Sequence, residues 1–301
     1  MPLLIHPGFH KTGTTWLQQQ LFSDTKYFNM LFSHEDIDRL FIRPHTLTFS
    51  AEDTAREVKA ACSPEGSPMI DVISSETLSG EMFTGSRLSA LVAERLADTC
   101  KPAKSLLTVR SQLAVTRAIY IQYLKRGGRL SIEAFLGYQP EPNYGWFNAD
   151  VIHYGRLAQH YGTLFGDENV LVLPQELMAK DRQAWLGHLF RFVTGEDFSG
   201  DLSVDARPRE GVSPPASGMA LLRTANLFRK GPLSPNAATS LGWLGTLLHR
   251  TAYKWKLGDK EAQMHLKDVI AAHFAGQFGE TNRLLQGYCP VDLATLGYEM
   301  T

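Results

Sequence analysis

The chain has 301 residues, 44% of them hydrophobic, which is enough to bury a full core as one large α/β domain or two small ones. Lys and Arg (30) balance Asp and Glu (31) to a net charge of −1, excluding a global pull toward nucleic acid or an anionic membrane, so any anion site must be local. Cys62, Cys100 and Cys289 lie far apart without CxxC spacing, which argues against a zinc knuckle or a disulfide framework and for a reducing compartment.

The first apolar run, Leu3-Leu4-Ile5, is too short for a signal peptide or an anchor, and no later stretch reaches spanning length; the expectation is a soluble, cytoplasmic protein. Residues 3–6 (LLIH) read as a strand ending at Pro7-Gly8, and 14–22 place Trp16, Leu17 and Leu21 at helical spacing, giving strand, glycine loop, helix. Further strands are expected at 69–74 (MIDVIS), 105–109 (SLLTV) and 169–173 (NVLVL). Amphipathic helices are expected at 51–62, 86–99, 111–126 and 150–165, the last with Val151, Tyr154, Leu157, Tyr161, Leu164 and Phe165 on one face.

Strands alternating with helices predict a three-layer α/β fold, a parallel sheet with helices on both faces, like that of P-loop NTPases. From about residue 175 the pattern is helical, with candidates at 180–194, 216–229, 236–256 and 260–286 and a Pro, Gly and Ser rich loop at 198–216. The expected organisation is a single domain over 1–301, its helical portion packed on the sheet.

The stretch GFHKTGTT, residues 8–15, follows the first strand. A nucleotide P-loop has the form G-x-x-x-x-G-K-[ST], with Lys reaching the β/γ-phosphates and the hydroxyl holding Mg²⁺. Gly8 and Gly13 keep the glycine spacing and Thr15 the hydroxyl, but Thr14 occupies the lysine position and the loop's lysine is Lys11. A cation at mid-loop suits a shorter anion held at the helix start and disfavours an ATPase or kinase, which would lose its usual means of spreading transition-state charge.

GFHKTGTTWLQ resembles the 5′-phosphosulfate loop of sulfotransferases that use 3′-phosphoadenosine 5′-phosphosulfate (PAPS), and the segments 71–77, 105–124, 154–177, 212–226 and 281–298 are similar in order and spacing to soluble bacterial members. The resemblance implies that Lys11, Thr12, Gly13, Thr14 and Thr15 hold the phosphosulfate, with Lys11 near the bridging oxygen, and that no metal is needed. It further implies that Arg110, at the end of the third strand, binds the 3′-phosphate, for which a guanidinium is geometrically matched. The family's serine eight residues after that arginine is Ala118 here. Arg117 or Ser111 substitutes for it, or Tyr120 does, or 3′-phosphate affinity is weaker.

Sulfuryl transfer to a hydroxyl needs a base, which in the resembling enzymes sits beyond the second strand of the sheet; Glu76 of Ser74-Ser75-Glu76 is the candidate there, although Ser75-Glu76 also reads as a helix start. His10, beside Lys11, is the second candidate. His34 and His45 are surface residues or part of an acceptor pocket. His153, His160, His265 and His273 lack the i, i+4 pairing of a zinc site. In the late loop, Arg207, Arg209 and Ser213 are candidates for cofactor contact.

The acceptor, a carbohydrate or small hydroxylated molecule by resemblance, would be met by 24–50, 77–90, 125–150 and the late loop, where Tyr123, Tyr138, Tyr144 and Trp146 offer aromatic surface. The competing readings are a P-loop NTP kinase or ATPase, and a nucleotide-binding relic hinted at by Ala118.

Overall fold

The computed structural model describes residues 3–80, 82, 86–137, 147–198 and 213–301. Among them β1 (Leu3–His6), β2 (Phe28–Met30), β3 (Ile70–Ser74), β4 (Ala103–Val109) and β5 (Val170–Pro174) form one parallel sheet in the order β2-β3-β1-β4-β5. β1, β3 and β5 are buried at every position and β4 at all but Lys104, as a sheet covered on both faces requires. The fold is the expected three-layer α/β arrangement, P-loop NTPase-like at its first strand, and the elements described after Pro174 are all helices or 3₁₀ turns.

One face carries Leu4, Val72, Leu106 and Leu173, which pack with Leu17 and Leu21 after the glycine loop and with Trp185 and Leu189 of the helix Arg182–Thr194. Lys104, on that face by parity, points to the same helix and donates from its ammonium to the Phe192 carbonyl. The outer edge of β5 is covered where the Val172 N–H donates to the Tyr288 carbonyl at 2.9 Å, leaving less edge to template another chain.

Two differences from the sequence reading have local causes. β2 was not expected: it is three residues long, begins straight after the Asp24–Tyr27 turn, and has no room to display alternation. The helix expected over 260–286 is two, Asp259–Phe274 and Gly279–Gln286. Gly276 between them has φ +76°, and the Glu299 carboxylate accepts from Gly276 N (2.6 Å) and Phe278 N (3.0 Å), so the break has its own acceptors.

The chain divides into two compact units. The first comprises Met1–Ser111, Ala149–Asp205 and Gly276–Thr301 and contains the sheet; the second comprises Gln112–Asn148 and Ala206–Ala275 and is helical. Within the second, Asn226 ties its helix to another by donating from its amide to the carbonyls of Leu124 (2.8 Å) and Gly128 (2.7 Å).

At the carboxyl end of the sheet a buried relay joins three strands. The register pairs His6 with Ser74, and Thr108 lies on the same face of β4. The Thr12 hydroxyl donates to the Phe9 carbonyl at 2.6 Å, so Thr108 Oγ1, 2.9 Å away, donates to Thr12 Oγ1. Thr108 then accepts from His6 Nε2–H at 3.1 Å, and His6 Nδ1 accepts from the Ser74 hydroxyl at 2.8 Å. The imidazole is fully enclosed and neutral, its pKa held down to about 3 by burial.

In the unfolded chain that imidazole titrates near 6.5, so between about 3 and 6.5 the unfolded state binds more protons. The His6 contribution is therefore complete above pH 6.5 and is lost by up to about 1.4 kcal/mol per pH unit below it. Urea unfolding at pH 7 and pH 5 should show this loss in the wild type and a shallower one in His6→Asn; equal slopes would mean that His6 is not the buried neutral group described.

Candidate active site

The loop between β1 and its helix is held by fit and by backbone conformation. A Cβ at Gly8 would stand 2.7 Å from Thr14 Oγ1 and 2.8 Å from the His6 ring. Gly13 has φ +96° and Lys11 has φ +66°, the latter rarely adopted by a residue with a side chain. Such excursions into the left-handed region turn successive N–H groups toward one concavity, the geometry of an anion nest. Phe9 is buried with its ring edge-on to Tyr154, centroids 4.6 Å apart, and anchors the loop to the core.

Gly13 caps the helix beginning Thr14–Trp16 with no side-chain bond, so the first N–H groups of that helix and its positive end face whatever the loop encloses. Thr15 is exposed there. The hydroxyl of Thr12 is spent on Phe9 and Thr108, and that of Thr14 reaches the Phe9 carbonyl at 3.4 Å, so these two side chains shape the loop from within.

Glu76 begins the 3₁₀ turn Glu76–Ser79 beyond β3, capped by Ser75, whose Oγ accepts from Thr77 N. Two bonds join this turn to the glycine loop. The Ser79 hydroxyl lies 3.2 Å from the Gly8 carbonyl and 2.9 Å from that of Glu76, and His10 Nε2–H donates to the Gly80 carbonyl at 2.9 Å. That His10 nitrogen is a donor to backbone, which removes it as a proton acceptor.

His34, expected as a surface residue or part of an acceptor pocket, is exposed and stands beside Glu76. It opens the helix His34–Ile37, with Nδ1 3.0 Å from Ser75 Oγ and Nε2 4.0 Å from Glu76 Oε2. Its only sequence signal is the capping box of Ser33 and Asp36, which marks a helix start but not a neighbour of Glu76.

On the other side of β1, Arg110 leaves β4 and its guanidinium reaches the Lys11 carbonyl at 3.4 Å. Glu176, just after β5, sets the chain path there: its carboxylate accepts from Ser111 N at 3.0 Å and from the Tyr298 hydroxyl at 3.2 Å. Burial holds the Tyr298 phenol well above its ordinary pKa, so it stays a donor. The strand order makes β5 the neighbour of β4, and no local pattern in the sequence reveals it. Lys11, Gly13–Thr15, Glu76 and Arg110 thus all sit at the carboxyl ends of adjacent strands, where open α/β sheets bind ligands.

Several of the remaining candidates have other partners. In the second unit Arg117 and Ala118 are half-buried on the helix Gln112–Lys125. Tyr120 on that helix donates its hydroxyl to the Leu130 carbonyl at 3.0 Å, which takes it out as a replacement donor; burial pushes its pKa up to about 12. Tyr123 accepts from the N–H groups of Arg129 and Leu130, and Ser213 is exposed. His45 Nδ1 accepts from Leu47 N, His153 bonds Thr281, and His265 pairs with Glu133. His160 lies 3.9 Å from Glu94, and the His273 ring is edge-on to Phe274. Among the described residues no group of His, Cys, Asp and Glu could hold a metal ion. Arg207, Arg209, Tyr138, Tyr144 and Trp146 lie outside the described residues. No described helix is long and apolar enough to cross a membrane.

No family model matches the sequence, and no curated protein matches it either. Among solved structures, the fold is similar to that of a sulfotransferase from Alicyclobacillus acidocaldarius, with a TM-score of 0.50 and 20% identity over 85% of this chain and 99% of that one. A sulfotransferase domain from the curacin biosynthetic pathway aligns with a TM-score of 0.43 and 13% identity over 91% of this chain and 98% of its own. The first likeness establishes the fold at low identity; what the site does is argued from its residues.

The loop's dependence on Gly8 is open to a direct check. Gly8→Ala should destabilise the protein by about 1–3 kcal/mol through overpacking, whereas Gly187→Ala, in a helix and with nothing within 4 Å of the added Cβ, should be neutral or slightly stabilising. Thermal unfolding of both variants measures the contrast, and equal effects would mean that the loop does not need the close approach.

Proposed function

We propose that the protein is a sulfotransferase that moves a sulfuryl group from PAPS to a hydroxyl of a carbohydrate or other small acceptor without a metal ion. The observation that carries this reading is the lysine at mid-loop: Lys11 sits in the left-handed region beside a helix start, with Thr14 where a nucleotide kinase has its lysine. The first structural neighbour's fold is consistent with it. The narrow turn at Gly8 and the left-handed Gly13 make a cradle that a side chain would fill or strain, which fits a phosphate group at the helix N-terminus.

In this reading Glu76 accepts the proton of the acceptor hydroxyl as the new O–S bond forms. The S–O bond to the 5′-phosphate breaks on the opposite side, and adenosine 3′,5′-bisphosphate leaves. Lys11 and the helix N–H groups stabilise the negative charge that develops on the departing phosphate oxygen, a preorganised electrostatic role. Arg110 holds the 3′-phosphate by bidentate hydrogen bonding. His34 and Ser75 orient the Glu76 carboxylate, and the two bonds from the Glu76–Ser79 turn to the loop keep base and cradle in register.

Calorimetric titration separates the readings. Adenosine 3′,5′-bisphosphate should bind without Mg²⁺ and ATP should not; the reverse would make this a kinase or ATPase. Lys11→Ala should weaken bisphosphate binding by roughly ten- to a hundredfold, the loss of one charge-assisted contact of about 1.5–3 kcal/mol. Arg110→Ala should erase the preference for the 3′,5′-bisphosphate over adenosine 5′-phosphate, and an intact preference would remove Arg110 from the 3′-phosphate. With a panel of hydroxyl acceptors and labelled PAPS, Glu76→Gln should cut transfer by about 10²–10⁴-fold while bisphosphate affinity holds. Full turnover in that variant would take the base role from Glu76.

A further inference from the structure

From Gly211 to Gly258 the sequence has no Asp or Glu, yet it carries Arg223, Arg229, Lys230, Arg250, Lys254 and Lys256. In a chain whose net charge is −1, this segment alone contributes those six positive charges. The helix Gly242–Lys254 organises part of them. Gly245 and Ala252 form its buried stripe: a Cβ at Gly245 would meet Arg229 Cγ at 2.7 Å, and the Ala252 carbonyl lies 2.0 Å from where a Cβ on Gly218 would stand.

With 3.6 residues per turn, Trp243, Leu247, Arg250 and Lys254 follow one another at i, i+4, i+7 and i+11 on a stripe about 60° wide, opposite Gly245 and Ala252. Trp243 is 68% and Leu247 54% exposed. Exposed apolar surface continues just beyond the helix, with Trp255 at 43% and Leu257 at 78%. A surface cavity of about 460 Å³ lined by His249, Arg250, Tyr253 and Lys254 opens on the same helix. The next acid, Asp259, lies just beyond the segment, and its carboxylate accepts from Ser217 N at 3.1 Å and Gln263 Nε2 at 2.6 Å.

We propose that this face docks on an anionic lipid bilayer, with Trp243 and Leu247 entering the interface and Arg250, Lys254 and Lys256 meeting the phosphates of the headgroups. Charge complementarity names the occupant. A second copy of the chain would set the same cations against one another, and a nucleic acid offers phosphates but no apolar partner for Leu247 and Leu257. Tryptophan with flanking Lys and Arg is the composition that suits a boundary between headgroups and acyl chains.

Vesicle flotation tests this with the full chain. Phosphatidylcholine vesicles containing about one third phosphatidylglycerol should carry the protein at low salt and release it as salt rises, and pure phosphatidylcholine vesicles should not carry it. The pairs Arg250→Glu with Lys254→Glu and Trp243→Ser with Leu247→Ser should each lower binding at least about tenfold, with circular dichroism melting unchanged because all four side chains face outward. Absence of flotation on the anionic vesicles would overturn the proposal. So would full binding by the Trp243→Ser, Leu247→Ser protein, or tighter binding to RNA or heparin than to the vesicles.

Discussion

The site depends on an imidazole that burial keeps neutral. His6 lies at the last position of the central strand, with Ser74 of β3 on one ring nitrogen and Thr108 of β4 on the other, and the chain of donors runs on through Thr12 to the Phe9 carbonyl. Each hydroxyl in that chain has its proton direction set by the next, so the relay has one arrangement and every buried polar group in it has a partner. Three strand ends and the glycine loop are thereby fixed to one another by side chains that no solvent reaches. A protonated His6 would need two acceptors where the relay offers an acceptor and a donor, which is why burial and hydrogen bonding favour the same neutral form.

From that fixed point the rim is built by short connections. Gln18 donates to the Ser74 carbonyl at 3.1 Å, Ser79 and His10 bind the Glu76–Ser79 turn to the loop, and Glu176 binds the start of the segment after β4 to the end of β5. For the transfer proposed above, preorganisation of this kind matters more than it would for simple binding. Charge that develops only in the transition state is stabilised most by dipoles and cations that need not move to meet it. The left-handed Lys11 fits the same logic, since a strained backbone of order 1–3 kcal/mol persists only where surrounding contacts over-determine it, here Phe9 against Tyr154 on one side and Gly13 on the other.

Much of this was legible in the sequence. Four of the five strands follow from apolar runs bounded by turn residues, and the glycine loop follows from the spacing of Gly8 and Gly13 after the first of them. The parts that were not legible share a cause: they depend on which strands are neighbours. Glu176 matters because β5 lies beside β4, and His34 matters because β2 lies beside β3 and delivers the helix that follows it to Glu76. β2 itself is too short to announce its period. Tyr120 is a candidate to replace the serine absent at Ala118 on spacing alone, and its hydroxyl donates to the carbonyl of Leu130, ten residues on. The sequence makes Thr12 and Thr14 ligands of the phosphosulfate by resemblance; what it does not show is that their hydroxyls bond Phe9 and Thr108.

The same reasoning qualifies the use of net charge. A sum of −1 is a property of the whole chain, but electrostatic attraction at physiological ionic strength reaches only about 8 Å. Within that distance a surface responds to the charges near it, and the 48 positions from Gly211 to Gly258 carry six cations and no carboxylate. Composition therefore excludes a protein that is drawn to anions everywhere; it does not exclude one with a cradle for a single phosphate at Lys11 and a separate basic, tryptophan-bearing helix at Gly242–Lys254. These two anion-seeking features differ in design. The first encloses its charge in backbone turns and buried hydroxyls, as a site for a small ligand would, and the second spreads its charge along an exposed stripe, as a surface for an extended one would.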